Sequence, residues 1–195
     1  MHRAICTLEG IGPYQQSKQY DESTVPKKGE EGKEESHDEY EKRTWWNRAH
    51  MNEKGNMIIP AAQFKQCIMA AAKYRSEKIP DTRGKTFTQK FVSGISVPEG
   101  IELPIKVNKD MPGRWVYANA RGMRNGPGAH VWKCFPTADK WKGEVTFIVL
   151  DEIINEDVFM RHIVDAGSFI GIGTWRPQNG GDHGRFMVVK MDWLG

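Results

Sequence analysis

Gly143-Glu-Val-Thr-Phe-Ile-Val-Leu150 is apolar and β-rich enough to form a central strand, and the residues after it decide the fold. Asn155 stands where a helix N-cap is needed, Glu156 and Asp157 suit the positive end of that helix, and Gly167 can close it. Phe159, Ile163 and Ala166 recur on one face, as a helix packed on a sheet requires. A glycine-rich loop at 171–184 then leads into Arg185-Phe-Met-Val-Val-Lys-Met191, which reads as a last strand. The C-terminal unit is strand, helix, strand.

The N-terminal half has the same order. Arg3-Ala-Ile-Cys-Thr-Leu8 alternates and ends at Gly10-Ile-Gly-Pro13, a strand running into a turn. After a turn at Glu53-Lys-Gly55, Met57-Ile-Ile59 leads to Pro60, which suits a first helical position because its missing N–H would lack a partner there. Phe64, Cys67, Ile68, Ala71 and Ala72 fall on one stripe, predicting a helix over 60–75 with Lys65, Gln66, Lys73 and Arg75 off the stripe. Phe91–Val97, Ile101–Val107, Trp115–Asn119 and His130–Cys134 read as short strands. The series strand, helix, strands, strand, helix, strand is that of a split βαβ fold: an α+β, ferredoxin-like (RRM-type) core in one domain, 1–195. Residues 15–42 are too polar to offset the entropy of ordering, so 15–54 is expected as a mobile insertion loop and 76–142 as an inserted β-rich region.

The 195 residues are 38% hydrophobic, long enough for a sizeable core, and hold no apolar run of about 18 residues that would span a membrane. No secretory leader is legible, and Cys6, Cys67 and Cys134 are odd in number with no C-x-x-C. A soluble chain in a reducing, bacterial-host cytoplasm is expected. Residues 1–54 carry 9 basic and 11 acidic groups, 55–150 carry 15 and 7, and 151–195 carry 4 and 7, so a net +8 is concentrated in the middle. Such an excess is either a solvated surface or the footprint of a polyanion.

Two stretches favour the polyanion. In Gly167–Phe186, six glycines (among them Gly171, Gly173, Gly180, Gly181 and Gly184) allow N–H groups to converge on an anion, beside Trp175, Arg176, His183 and Arg185. The same glycines would also suit a plain hairpin, and neither a Walker loop nor a dinucleotide fingerprint is present. In the middle, Arg114, Trp115, Tyr117, Arg121, Arg124, His130, Trp132, Lys133 and Lys140-Trp-Lys142 interleave rings with cations, the mix that stacks bases and meets phosphates. Trp115 and Trp132 are expected in the core; Arg121 and Arg124, on a glycine-rich loop, are expected to bind. No H-x-x-x-H pair, H-E-x-x-H motif or serine elbow appears, and His162 reads as a helix-surface residue. Neither a metal nor a cofactor nor a catalytic group is therefore expected.

Ile58-Ile-Pro-Ala-Ala-Gln-Phe-Lys65-Gln-Cys-Ile-Met resembles the I-P-G-S-S-h-K-G helix start of the RAMP superfamily, which supplies backbone subunits of CRISPR effector complexes. Phe169-Ile-Gly-Ile-Gly-Thr-Trp-Arg through Gly184-Arg-Phe is similar to its glycine-rich loop before the last strand, and Asp38–Trp45 resembles a stretch of phage and prophage proteins. The resemblance implies a ferredoxin-like core, with Lys65 touching an RNA backbone and Gly171, Gly173 and Arg185 forming the loop packed near the strand. Ala61-Ala-Gln63 replaces Gly-Ser-Ser and Gln66 replaces the second glycine, so the match lies in the apolar frame and the lysine.

Together these features predict a phage-type protein that binds single-stranded nucleic acid, RNA ahead of DNA, and assembles side by side along it. Lys65, Arg48, Arg121, Arg124, Lys133, Arg176 and Arg185 would meet phosphates, Trp45 and Trp46 would stack bases, and His183 would contribute from the loop. CRISPR-like or phage nucleoproteins are the implied partners. Two alternatives stand beside it. One is an endoribonuclease of the same fold using Asp21, Asp38 or His183; the other is a counter-defence protein that docks its acidic 30–41 segment onto a nucleoprotein complex.

Overall fold

In the computed structural model, which describes residues 1–19, 23, 25, 28, 35–119 and 129–195, the first strand, β1 (His2–Gly10), buries Ala4, Cys6 and Leu8 on one face. β8 (Lys142–Val149) does the same with Val145, Phe147 and Val149. β1 pairs antiparallel with β8 on one side and with β9 (Phe186–Leu194) on the other. The two-residue β4 (Ile95–Ser96) completes the order β4-β8-β1-β9, all antiparallel.

Two helices cover the buried face. α2 (Ala61–Arg75) turns in the expected stripe of Phe64, Cys67, Ile68, Ala71 and Ala72, and α4 (Glu156–Asp165) turns in Val158, Phe159 and Ile163. Each fully buried Phe or Ile of this layer contributes roughly 1.5–3 kcal/mol. Asn155 caps α4 by accepting from the Val158 N–H at 3.0 Å. Strand β1, helix α2, strands β4 and β8, helix α4 and strand β9 are the split βαβ pair read from the sequence, and the fold is α+β and ferredoxin-like.

Four expectations are corrected. Of the run 91–97 only Ile95–Ser96 is strand, as β4: α3 (Thr88–Gly94) takes the first four residues, and its Phe91 is fully buried. Within the expected loop 15–54, the described residues hold the end of β2 (Tyr14–Gln15), α1 (His37–Thr44) and a 3-10 turn at Trp45–Arg48, while residues 20–22, 24, 26–27 and 29–34 lie outside the described residues. Helix α1 begins in a capping box, Ser36 and Glu39 satisfying each other's N–H groups. His162 is not on a helix surface; it is fully buried, stacked on Phe91 with ring centroids 4.2 Å apart. Trp115 and Trp132 are exposed and not core residues.

Between the two halves of the core stand the pair β3 (Asn56–Ile59) with β5 (Ile101–Lys106), and a ribbon formed by β6 (Gly113–Asn119) and β7 (His130–Ala138). β2 joins the ribbon through β7, giving the order β2-β7-β6. No helix among the described residues is long and apolar enough to cross a membrane.

Candidate nucleic-acid interface

β2 is the hub of the site. On one side Gln15 pairs with Thr137 of β7, and the Gln16 N–H donates to the Pro136 carbonyl at 3.1 Å. On the other side the Gln15 carbonyl accepts from the Thr174 N–H at 2.8 Å, and the Pro13 carbonyl accepts from the Gly184 N–H at 2.8 Å. The ribbon and the glycine-rich loop, distant in sequence, are thereby held against the same short strand. Between them lies a cleft of about 440 Å³, lined among others by Tyr117, His130, Lys133, Phe135, Trp175 and Gly181.

The ribbon is aromatic because it has little beneath it. Beyond its inner end, where Trp45 and α1 pack on Gly113 and Cys134, the ribbon has no second layer among the described residues, so alternation puts rings into solvent instead of a core. Tyr117 sits opposite Trp132 in register, their ring centroids 5.4 Å apart, and His130 is 5.6 Å from Tyr117. Trp115, Tyr117 and Trp132 are 41%, 59% and 47% exposed, which corrects the expectation that the two tryptophans are buried.

The loop is a scaffold and not an anion cradle. Gly171, Gly173, Gly180 and Gly184 adopt positive φ, but the N–H groups of Gly171, Gly180, Gly181 and Gly184 all donate to protein carbonyls. What the loop presents is Trp175, a bulky residue held at φ +59° and 49% exposed. Left-handed backbone is strained for such a side chain, by about 1–3 kcal/mol, and persists only where the surroundings impose it. Gly181 is part of that imposition: a Cβ there would lie 1.8 Å from the Trp175 carbonyl oxygen. Behind the indole stands His183, with ring centroids 6.3 Å apart and planes 29° from parallel.

His183 links loop to ribbon. Its Nε2 is 2.9 Å from Nη1 of Arg114 on β6, and its Nδ1 is 2.8 Å from Oε1 of Gln15. A guanidinium only donates, so Nε2 accepts and Nδ1 carries the proton: the imidazole is neutral in this arrangement. Burial, then the adjacent Arg114 charge, hold its pKa below the ordinary histidine value. Lys133 on β7 is also shifted down, by burial first and by Arg48 second.

Several residues singled out in the sequence are committed elsewhere. Trp45 is 6% exposed and packs against Gly113, where a Cβ would lie 2.5 Å from its ring, so it stacks no base. Trp46 is half-buried against the core and meets Trp45 edge-on. Arg48 is paired with the buried Glu41, and the two bracket Cys134 of β7: Glu41 accepts from its N–H at 2.7 Å and Arg48 donates to its carbonyl at 3.0 Å. The Lys65 ammonium donates to the carbonyls of Val92 (3.0 Å) and Ile95 at the end of α3, where a cation offsets unpaired helix carbonyls. Arg176 is half-buried within electrostatic reach of the Cys67 thiol and does not line the cleft. Arg185 donates to the Ser168 carbonyl and pairs with Asp182 at 3.2 Å. Asp38 lies in the first turn of α1. Arg121, Arg124 and Asp21 lie outside the described residues.

Of the expected residues the cleft lining holds Lys133, Gly180 and Gly181, with His183 stacked on Trp175 and joined to the ribbon through Arg114; it does not gather Lys65, Arg48, Arg176 or Trp45. Arg114, Tyr117 and Trp175 are not among the individually expected contacts, though all three stand within the two stretches that the sequence marks. The opposite surface of the core sheet is less suited to nucleic acid. Its open face presents Arg3, Ile5 and Thr7 from β1 beside Glu144, Thr146 and Ile148 from β8, with none of the rings on which an RRM stacks bases. Lys142 and Lys190 there are paired with Glu9 and Asp192.

No family model and no curated protein matches this chain. Among solved structures it is similar to a chain of a Type III-B Cmr-beta complex, determined by cryo-EM bound to cognate target RNA. The TM-score is 0.53 and the identity 12%; the match covers 99% of this chain and 60% of that one. The likeness is one of fold, and it extends over nearly the whole chain.

Proposed function

We propose that this chain binds single-stranded RNA across the cleft between the β6–β7 ribbon and the glycine-rich loop, as a RAMP-type subunit of a larger RNA-containing assembly. The observation that carries the reading is the convergence on one cleft of the two stretches with the composition of a single-strand binding surface. Tyr117 on the ribbon and Trp175 on the loop, both exposed rings in the cleft lining, supply sequence-tolerant stacking. Arg114 and Lys133 supply charge, and Arg121 and Arg124, between β6 and β7 in the sequence, would add to it. The similar chain belongs to a complex bound to its target RNA, which supports RNA over DNA. Side-by-side assembly along the strand and a phage origin belong to the same proposal, the latter supported by the Asp38–Trp45 resemblance.

The test is a salt titration. Affinity for a labelled 30-nucleotide RNA should fall linearly on a log–log plot of salt, with a slope near −0.7 for each phosphate neutralised. Neutralising Arg114 and Lys133 together should make the slope shallower by about 1.4. Absence of binding at low salt, or a slope unchanged in the double variant, rules the cleft out.

A further inference from the structure

Trp175 combines three features that a surface tryptophan seldom has together: left-handed backbone, half its surface in solvent, and a second ring fixed behind it. The fixing is the unusual part. His183 is gripped at both nitrogens, by Arg114 from β6 and Gln15 from β2, so the ring behind the indole cannot rotate without breaking a bond to another element. Gln15 is itself fully buried, and its carbonyl takes the Thr174 N–H next to Trp175. The Trp175 carbonyl accepts from the His183 N–H at 3.0 Å, which closes the loop upon itself. An indole held this way presents a wall of the cleft whose orientation is set before any ligand arrives, and a flat apolar wall beside cations is what an unstacked nucleobase recognises.

We propose that Trp175 is the platform on which the cleft stacks one unpaired nucleobase, and that His183 is its positioning residue, acting only as the neutral imidazole. This rests on the reading of the cleft as a single-strand site and deepens it by naming where the base lies. The volume of about 440 Å³ accommodates one nucleotide, with Phe135 and Gly181 among the other walls. The charged groups facing His183 are Arg114 from the ribbon and Asp182 beside it in the loop. Protonation turns Nε2 from acceptor to donor opposite a guanidinium that has only donors, so the grip on the ribbon opens and the indole loses its backing. Acid therefore weakens base stacking at this site, whereas added positive charge alone would strengthen binding to RNA.

A nine-nucleotide oligo(U) RNA with 2-aminopurine at its centre separates these effects, because the quenching at saturating protein reports stacking and not affinity. At pH 8 the wild-type chain should quench the probe strongly, and the quenching should be lost on acidification, with its midpoint below the ordinary histidine range. Trp175→Ala should abolish the quenching and weaken binding about 5- to 150-fold with the salt slope unchanged; Trp175→Phe should retain much of both. In His183→Gln, an amide oxygen near the Nε2 position can still accept from Arg114 and does not titrate, so the quenching should persist and become flat with pH. His130, which lines the cleft, is common to both proteins. Equal quenching by wild type and Trp175→Ala would overturn the platform while leaving the cleft reading intact. Matching pH profiles in wild type and His183→Gln would overturn the positioning role. No RNA binding by the wild-type chain at low salt would overturn the cleft and the platform together.

Discussion

Replacing Arg48 by methionine removes one partner of an ion pair that water hardly reaches: the Arg48 side chain is 14% exposed and that of Glu41 1%. The guanidinium donates to both Glu41 oxygens and to the Cys134 carbonyl, while Glu41 accepts from the Cys134 N–H. Together the two side chains take the place of a neighbouring strand along this edge of β7. Breaking such a pair from one side leaves a carboxylate buried without its counter-charge, at a cost of about 3–5 kcal/mol. For a chain of 195 residues this corresponds to a fall in Tm of roughly 6–20 °C. Replacing both residues by methionine removes the stranded charge and forfeits two hydrogen bonds to Cys134, about 2 kcal/mol in all, so the double variant should be more stable than R48M. Urea unfolding of wild type, R48M, E41M and the double variant measures the cycle. Since Arg48 is a bracket and not a phosphate contact, the salt slope of RNA binding should be the same in folded R48M as in wild type. A cost below about 1 kcal/mol, or a slope shallower by about 0.7, would refute the bracket.

Lys65→Met should cost about 1.5–3 kcal/mol through the lost carbonyl contacts at the end of α3, with RNA affinity unchanged; thermal unfolding and anisotropy titration check the two halves separately. Gly181→Ala should displace the Trp175 backbone, because the new methyl meets its carbonyl, and so reduce RNA binding more than it reduces Tm. Glu77 sits between Arg161 and Arg75, whose hydrogen bonds hold its carboxyl near pKa 2 against an ordinary 4.5. Its folded-state pKa is depressed, so its contribution to stability is complete above about pH 4.5 and is lost as pH falls towards 2. Glu77→Gln should flatten the dependence of urea midpoint on pH in that window.

The core was legible because its residues obey one period each. Phe64, Cys67, Ile68, Ala71 and Ala72 lie buried along α2, and β1 and β8 alternate as a sheet with one covered face must. The short run 91–97 is ambiguous in sequence because Phe91, Val92, Ile95 and Val97 satisfy a strand period as readily as a helical one, and its length does not arbitrate between α3 and the two residues of β4. Helix α1 was missed for a different reason: Glu41 is buried by its pairing with Arg48, and composition registers both as solvent-loving. The site was half legible. Its two stretches stood out by their rings, cations and glycines, but the sequence contains no sign that a two-residue strand at Tyr14–Gln15 would hold them together. Charge and aromaticity mark Lys65, Arg48 and Trp45 as nucleic-acid contacts, but composition does not show which groups the fold uses to close its own helix ends and strand edges.

Ultraviolet crosslinking of bound single-stranded RNA, with the attached peptides identified by mass spectrometry, tests the location of the interface most directly. Crosslinks concentrated on Tyr117, Lys133, Phe135 and Trp175, which line the cleft, are expected. Crosslinks concentrated on Ile5, Thr146 and Ile148, on the open face of the core sheet, would contradict the assignment of RNA to the cleft.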